Sequence, residues 1–346
     1  MKTANYITLD SGKLFFQKMG SGPVIVLLHP SPHTSNLLLP MAQKLAERYT
    51  VIALDTPGYG NSDGLGFKPK SVRDYTNVLH KAFTALHLKK PSLYGSATGA
   101  QIAIRYALEH SDGVAQVYLD NAAHFNDDLR VTILKNYFFD LSPKKDGSHL
   151  VKIWKMVGNM FQYFPWCFQS EEFALKRPQL PAMALHMVAM DYLRAGETYD
   201  YAYRVAFEHE KAEYVQALTV PTTIFRWNGS IIKKHIDNLL KHDFPSNVSV
   251  FPIDGDPTER MKLMTEYIKS KSNSVPSTAL YGNVKPFEEK QKPEYHIGNQ
   301  NIPEIKADGS HLLNAWNILR TNNPDLGAKK LQACLVDWYS SPDQAV

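Results

Sequence analysis

The segment Tyr94-Gly95-Ser96-Ala97-Thr98-Gly99-Ala100 carries the strongest chemical signal in the chain. It joins a short strand-like run, Ser92-Leu93-Tyr94, to a helical stretch from Thr98 to His110. Glycines at both flanks permit a strained strand-to-helix turn. The turn lifts its central residue above a sheet, with a helix N-terminus beneath it and backbone N–H groups beside it. Such a perch suits a nucleophile. A serine there would give acyl transfer through a covalent intermediate. This chain has Ala97, so the position is present and the attacking group is not. The hydroxyls of Ser96 and Thr98 occupy neighbouring positions, whose side chains point elsewhere in such a turn.

Two further segments stand upstream, His29-Pro30-Ser31-Pro32 and Asp55-Thr56-Pro57-Gly58-Tyr59-Gly60-Asn61-Ser62-Asp63. In this order and spacing, with Gly95-x-x-x-Gly99, the set resembles the α/β-hydrolase superfamily, closest to its capped epoxide-hydrolase and haloalkane-dehalogenase-like branch. The resemblance runs from about Tyr6 to Ser270. Pro30 departs from the glycine usual in the branch. The resemblance implies an α/β-hydrolase fold and an oxyanion hole built from the backbone N–H groups of Ser31 and Thr98. His29 matches a position that is usually structural. An aspartate at position 97 would imply alkyl-enzyme chemistry of the dehalogenase or epoxide-hydrolase kind.

The same resemblance asks for an acid and a base. After Thr222-Thr223-Ile224-Phe225 the family often places an aspartate, but this chain reads Arg226-Trp227-Asn228. The branch's other site for the acid, the end of the preceding core strand, holds Asp120. The base is expected just after the last core strand, where Asp254-Gly255-Asp256 stands instead. His311, in Asp308-Gly309-Ser310-His311, and its echo His149 are the candidate bases. A hydrolase is implied, acting on a small, fairly apolar molecule with an ester, lactone or related bond, its alanine at position 97 being either an engineered inactivating change or a family variant. The alternative is a natural non-covalent lyase-type enzyme, or a ligand-binding protein lacking a standard triad.

These residues need a scaffold, and its rhythm is legible. Tyr6–Leu9 and Lys13–Phe16 read as a hairpin. Val24–Leu28, Val51–Leu54, Ser92–Tyr94 and Val114–Leu119 read as strands alternating with helices, which predicts a mostly parallel sheet covered on both faces. From 122 to 218 the chain is helical and rich in Met and aromatics, as expected of an inserted cap. The α/β pattern resumes at Thr222 and ends near Ser270. The expected organisation is therefore a core of 1–121 and 219–271, a cap of 122–218 and a helical C-terminal extension of 272–346, opened by a polar linker from Ser272 to Lys306.

The extension echoes the cap. Asp146-Gly147-Ser148-His149-Leu150, with Trp154, recurs as Asp308-Gly309-Ser310-His311-Leu312, with Trp316. Pro178, Leu180, Ala182, Leu185, Asp191 and Tyr192 recur, at one offset, as Pro324, Leu326, Ala328, Leu331, Asp337 and Trp338. Two matches in the same order indicate a partial duplication.

Composition excludes other classes. A net charge of +4 with scattered Lys and Arg gives no nucleic-acid footprint. No apolar run is long enough to span a membrane. The two cysteines, Cys167 and Cys334, have no metal or disulfide spacing, which suits a reducing compartment. No signal peptide is visible at the start. A cytoplasmic protein needing no cofactor or metal is expected.

Overall fold

The computed structural model describes residues 2–271, 284–288 and 292–340. Among the described residues nine strands form one sheet: β1 (Thr3–Leu9), β2 (Gly12–Met19), β3 (Val24–Leu28), β4 (Thr50–Leu54), β5 (Ser92–Ser96), β6 (Val117–Asp120), β7 (Thr222–Trp227), β8 (Val248–Ile253) and β9 (Val284–Pro286). Their spatial order is β8-β7-β6-β5-β3-β4-β2-β1-β9. The strands from β3 to β8 pair in parallel. At the other end β4, β2, β1 and β9 pair antiparallel. Every position of β3 and β4 is buried, and all but Thr50 are apolar, as two-sided coverage requires.

The helices are α1 (Leu39–Leu45), α2 (Arg73–Ala85), α3 (Thr98–Glu109), α4 (Asp127–Asn136), α5 (Ser148–Met160), α6 (Ala182–Ala195), α7 (Tyr201–His209), α8 (Ala212–Gln216), α9 (Lys233–Leu239), α10 (Pro257–Ser270), α11 (Ser310–Asn322) and α12 (Ala328–Ser340). Helices α1 and α10 cover one face of the sheet. There Ile25, Leu27, Val51, Ala53, Tyr94, Tyr118 and Phe225 meet Met41, Leu45, Met264 and Ile268, the strand residues alternating as period-two pleating demands. Among the described residues no helix is long and apolar enough to cross a membrane.

The chain divides into two compact units. The first comprises 1–134 and 199–287 and contains the whole sheet; the second comprises 135–198 and 288–346. These boundaries differ from the sequence-based division at 121/122 and 218/219. Helices α7 and α8 belong with the sheet, because both pack against α3. Part of the stretch expected to be a linker, 272–283 and 289–291, lies outside the described residues. Within that stretch β9 adds to the sheet beside β1, with Tyr6, Phe15 and Phe287 clustered over the pairing.

In the second unit α5 packs on α6 and on α11, and α12 packs on α6 and α11. The two echoed segments are counterparts in this packing. Gly147 and Gly309 both stand at helix N-termini with φ near 77° (78° and 76°), a left-handed conformation that favours glycine.

Candidate active site

The turn at Ala97 follows from three local facts. A Cβ on Gly95 would sit 2.2 Å from the Gly99 carbonyl oxygen, and a Cβ on Gly99 would sit 2.1 Å from that of Leu28. Only glycine lets strand β5, helix α3 and strand β3 approach this closely. Between them Ala97 adopts φ 47°, ψ −110°, a conformation costing about 1–3 kcal/mol for a residue with a Cβ. The turn is held by the Ala97 N–H donating to the Asp120 carbonyl at 2.9 Å and the Gln101 N–H donating to the Ala97 carbonyl at 3.1 Å. The shape of a nucleophile's perch is complete. Its side chain is a methyl group.

The two upstream motifs tie the neighbouring loop in place. The Asp55 carboxylate accepts from the Ser35 N–H at 2.7 Å and from the Asn61 N–H at 2.8 Å. A Cβ on Gly60 would lie 2.1 Å from that carboxylate. Ser62 donates its hydroxyl to the Asp55 carbonyl and accepts from the Phe15 N–H. His29 is fully buried. Its Nε2 accepts from the Thr56 N–H at 2.9 Å, so its Nδ1–H donates to the Pro30 carbonyl at 3.0 Å. Its role is structural: it joins the loop after β3 to the loop after β4. Ser31 is buried beside Tyr59, whose hydroxyl donates to the Tyr199 carbonyl at 2.7 Å. Thr98 is also buried, and its Oγ1 has no hydrogen-bond partner among the described residues.

Asp120 stands at the end of β6 and is almost fully buried. Register pairs it with Ser96 across β5 and β6. Its Oδ2 accepts from the Tyr94 hydroxyl at 2.9 Å, from the Ser96 hydroxyl at 2.9 Å and from Arg260 Nη2. Burial, reinforced by the Asp120 charge, raises the Tyr94 pKa far above its usual value, so Tyr94 remains a donor. The Arg260 guanidinium lies 4.8 Å from the ring centroid of Trp227, whose indole N–H donates to the Gly255 carbonyl at 3.0 Å. Asp120 thus closes an ion pair with an arginine stacked on an indole. Its other oxygen, Oδ1, is buried with no hydrogen-bond partner among the described residues.

The slot after β8 is filled differently as well. Asp256 caps α10, its carboxylate accepting from the N–H groups of Thr258 and Glu259 at 2.8 and 2.9 Å. One turn later α10 delivers Arg260 to Asp120. No local pattern marks this pairing, because a lone arginine on an amphipathic helix reads as a solvated surface cation. Asn228 accepts from Arg226, which also pairs with Asp237 at 2.8 Å.

The two candidate bases belong to the second unit and are part of its core. His149 and His311 are 1% and 0% exposed. The Lys144 N–H donates to His149 Nδ1 at 3.1 Å, and the Lys306 N–H donates to His311 Nδ1 at 3.2 Å. Each ring therefore carries its proton on Nε2. That of His311 donates to His186 Nδ1 at 3.0 Å. A general base needs a free lone pair, and these rings have committed theirs to backbone donors. Burial lowers both pKa values to about 4.

A family model described as alpha/beta hydrolase fold matches residues 23–252, and the chain belongs to that family. Over 132 residues, 37% of this chain and 38% of the other, it is 30% identical to an uncharacterized protein of Mycobacterium tuberculosis. It is 38% identical to a haloalkane dehalogenase of Mycobacterium marinum over 106 residues, 29% of this chain and 34% of that one. It is 33% identical to a fluoroacetate dehalogenase of a Burkholderia species over 103 residues, 28% of this chain and 33% of that one. The matches thus span little more than a third of these relatives' own length. Among solved structures, potato epoxide hydrolase superposes with a TM-score of 0.60 at 18% identity, covering 78% of this chain and 98% of that one. An epoxide hydrolase from an endophytic Streptomyces gives 0.60 at 15% identity, covering 79% and 97%. At these identities the structures establish the fold.

Proposed function

We propose that this chain binds a small, fairly apolar substrate with an ester, lactone or related oxygen-bearing bond and acts on it without a covalent enzyme intermediate. The backbone N–H groups of Ser31 and Thr98 are assigned to the substrate oxygen, where they stabilise developing negative charge. The observation that carries this reading is the pairing of Asp120 with Arg260. In a covalent mechanism the carboxylate must orient a histidine, and the histidine must take the nucleophile's proton. Here one oxygen of the carboxylate is paired with an arginine, Asp256 caps a helix, and Ala97 has no proton to give.

One observation favours a second reading, a covalent hydrolase inactivated by substitution at position 97. The strained φ of 47° persists at Ala97, although alanine gains nothing chemically from the strain.

One experiment separates the two. The unaltered chain, Ala97→Ser and Ala97→Asp are incubated with small esters, lactones, epoxides and alkyl halides, while product is followed by chromatography and adducts by intact mass. The non-covalent reading expects turnover by the unaltered chain with no adduct, and no more than a few-fold gain in either variant. A hundredfold gain accompanied by a trapped acyl or alkyl adduct would establish the second reading.

A further inference from the structure

The second unit contains a clasp that is built twice. Trp154 donates its indole N–H to the Ala307 carbonyl at 3.1 Å, and Trp316 donates to the Lys145 carbonyl at 3.2 Å. Trp154 lies over Gly309, where a Cβ would meet the indole Cγ at 2.3 Å. Trp316 and Leu313 lie over Gly147, where a Cβ would meet them at 2.8–2.9 Å. His149 stands edge-on to Trp316 with centroids 4.8 Å apart, and His311 edge-on to Trp154 at 4.9 Å. Each hairpin, α5–α6 and α11–α12, closes the other's helix start.

The symmetry fails at one polar position. The offset that aligns Leu185 with Leu331 also aligns His186 with Gln332. His186 Nδ1 accepts from His311 across the hairpins, while Gln332 sits beside His149 and donates to the Leu193 carbonyl at 2.7 Å. Three buried imidazoles therefore hold the α11–α12 hairpin against the α5–α6 hairpin, and each holds it in its neutral form.

We propose that the α11–α12 hairpin is a pH-operated strap: protonation of the His186–His311 pair and of His149 releases it from the α5–α6 hairpin while the sheet-containing unit stays folded. A proton on His186 Nδ1 removes the acceptor of the cross-hairpin bond. A proton on His311 Nδ1 or His149 Nδ1 displaces a backbone donor, from Lys306 or Lys144. Two protons on the pair would set like charges 3.0 Å apart.

The surroundings do little to prevent this. The charged groups acting on His149 are Asp146, which favours its protonation, and Lys144, which opposes it. Asp308 favours protonation of His311. Tyr339 faces both His186 and His311 with centroids 4.6 and 5.9 Å away, and burial holds its hydroxyl neutral. Burial outweighs the carboxylates, and all three rings have pKa values near 4, below the usual 6.5. The sign follows: stability is full above pH 6.5 and is lost as pH falls towards 4. Over that window each ring raises the opening constant by on the order of a hundredfold. The sheet-containing unit also buries neutral histidines, His209 and His235, but each sits in a far larger core.

Cys334, fully buried on α12, reports on release. In the full chain carrying Cys167→Ser it is the only thiol. Its labelling by 4,4′-dithiodipyridine is followed from pH 7 to 3.5, with the urea-unfolded chain as control for the reagent. Amide hydrogen exchange of β3–β7 runs in parallel. Labelling is expected to rise at least a hundredfold between pH 5.5 and 4 with an order in protons above one, while the strand amides stay protected. His186→Gln, which copies the residue at the matching position 332, is expected to lower the proton order and shift the midpoint to lower pH. Histidine C2-hydrogen exchange on the unaltered chain supplies a second measurement, with values near 4 expected for His149, His186 and His311. Labelling that does not follow pH, ring values near 6.5, or loss of strand protection at the same midpoint would each overturn the proposal.

Discussion

The turn at Ala97 and the clasp in the second unit are both built on glycines with no room for a Cβ, yet they hold their shape in opposite ways. At the turn, close backbone approaches and a hydrogen bond to the Asp120 carbonyl maintain a strained geometry around a methyl group. In the clasp, two copies of one hairpin close each other with indoles, and little charge is involved. The difference shows two ways of holding a glycine-built geometry. The turn persists because Gly95, Gly99 and the Asp120 carbonyl fix it from the backbone. The acid at the end of β6 finds a cation as a buried carboxylate must, and Arg260 is the one supplied.

Charge and packing can be tested against each other. Arg260→Leu should have the largest effect, because it leaves Asp120 buried beside two neutral donors; a loss of about 3–5 kcal/mol is expected in urea unfolding. Adding Asp120→Asn should recover much of that loss, and a double variant as unstable as the single one would show that Arg260 acts through packing on Trp227. In the clasp, Gly309→Ala should cost about 3 kcal/mol, since the methyl would meet the Trp154 ring itself. Gly147→Ala should cost about 2 kcal/mol, because Leu313 can give way. Equal losses would mean that the two halves are softer than their contacts imply.

The smallest effect has the opposite sign. Glu210 is 5% exposed, and burial raises its pKa well above 4.5. The fold therefore favours the neutral acid, so stability is full below the ordinary carboxyl range and falls as pH rises through the folded value. Glu210→Gln should stabilise the chain by on the order of 1 kcal/mol at pH 8 and have little effect at pH 4, read as the difference in Tm.

Much of the scaffold was legible because it rests on local rules. Val24–Leu28 has the unbroken apolar run of a strand covered on both faces, and Gly95 and Gly99 bracket a turn that no other residue could make. The duplication was legible as spacing. The reciprocity of Trp154 and Trp316 was not, because it joins residues far apart in the chain. Arg260 left no local mark either: its partner lies 140 positions away, on the strand that ends at Asp120. His149 and His311 were misleading for a related reason. A histidine at a helix start has the same spacing whether it faces a substrate or accepts a backbone hydrogen bond, and only burial and the donors at Lys144 and Lys306 distinguish the two.

The clasp also sets an order of events during synthesis. Its two indole hydrogen bonds join residues 153 and 171 positions apart. When α5 and α6 leave the ribosome, the partners that cover Trp154 and Gly147 have not been made. The first hairpin must wait, with its apolar face uncovered, through the remaining sheet strands and α10. Long-range closure of this kind is slow and leaves surface open to association. A chain stalled before α11 would carry that surface permanently, and so would be a natural client for a chaperone.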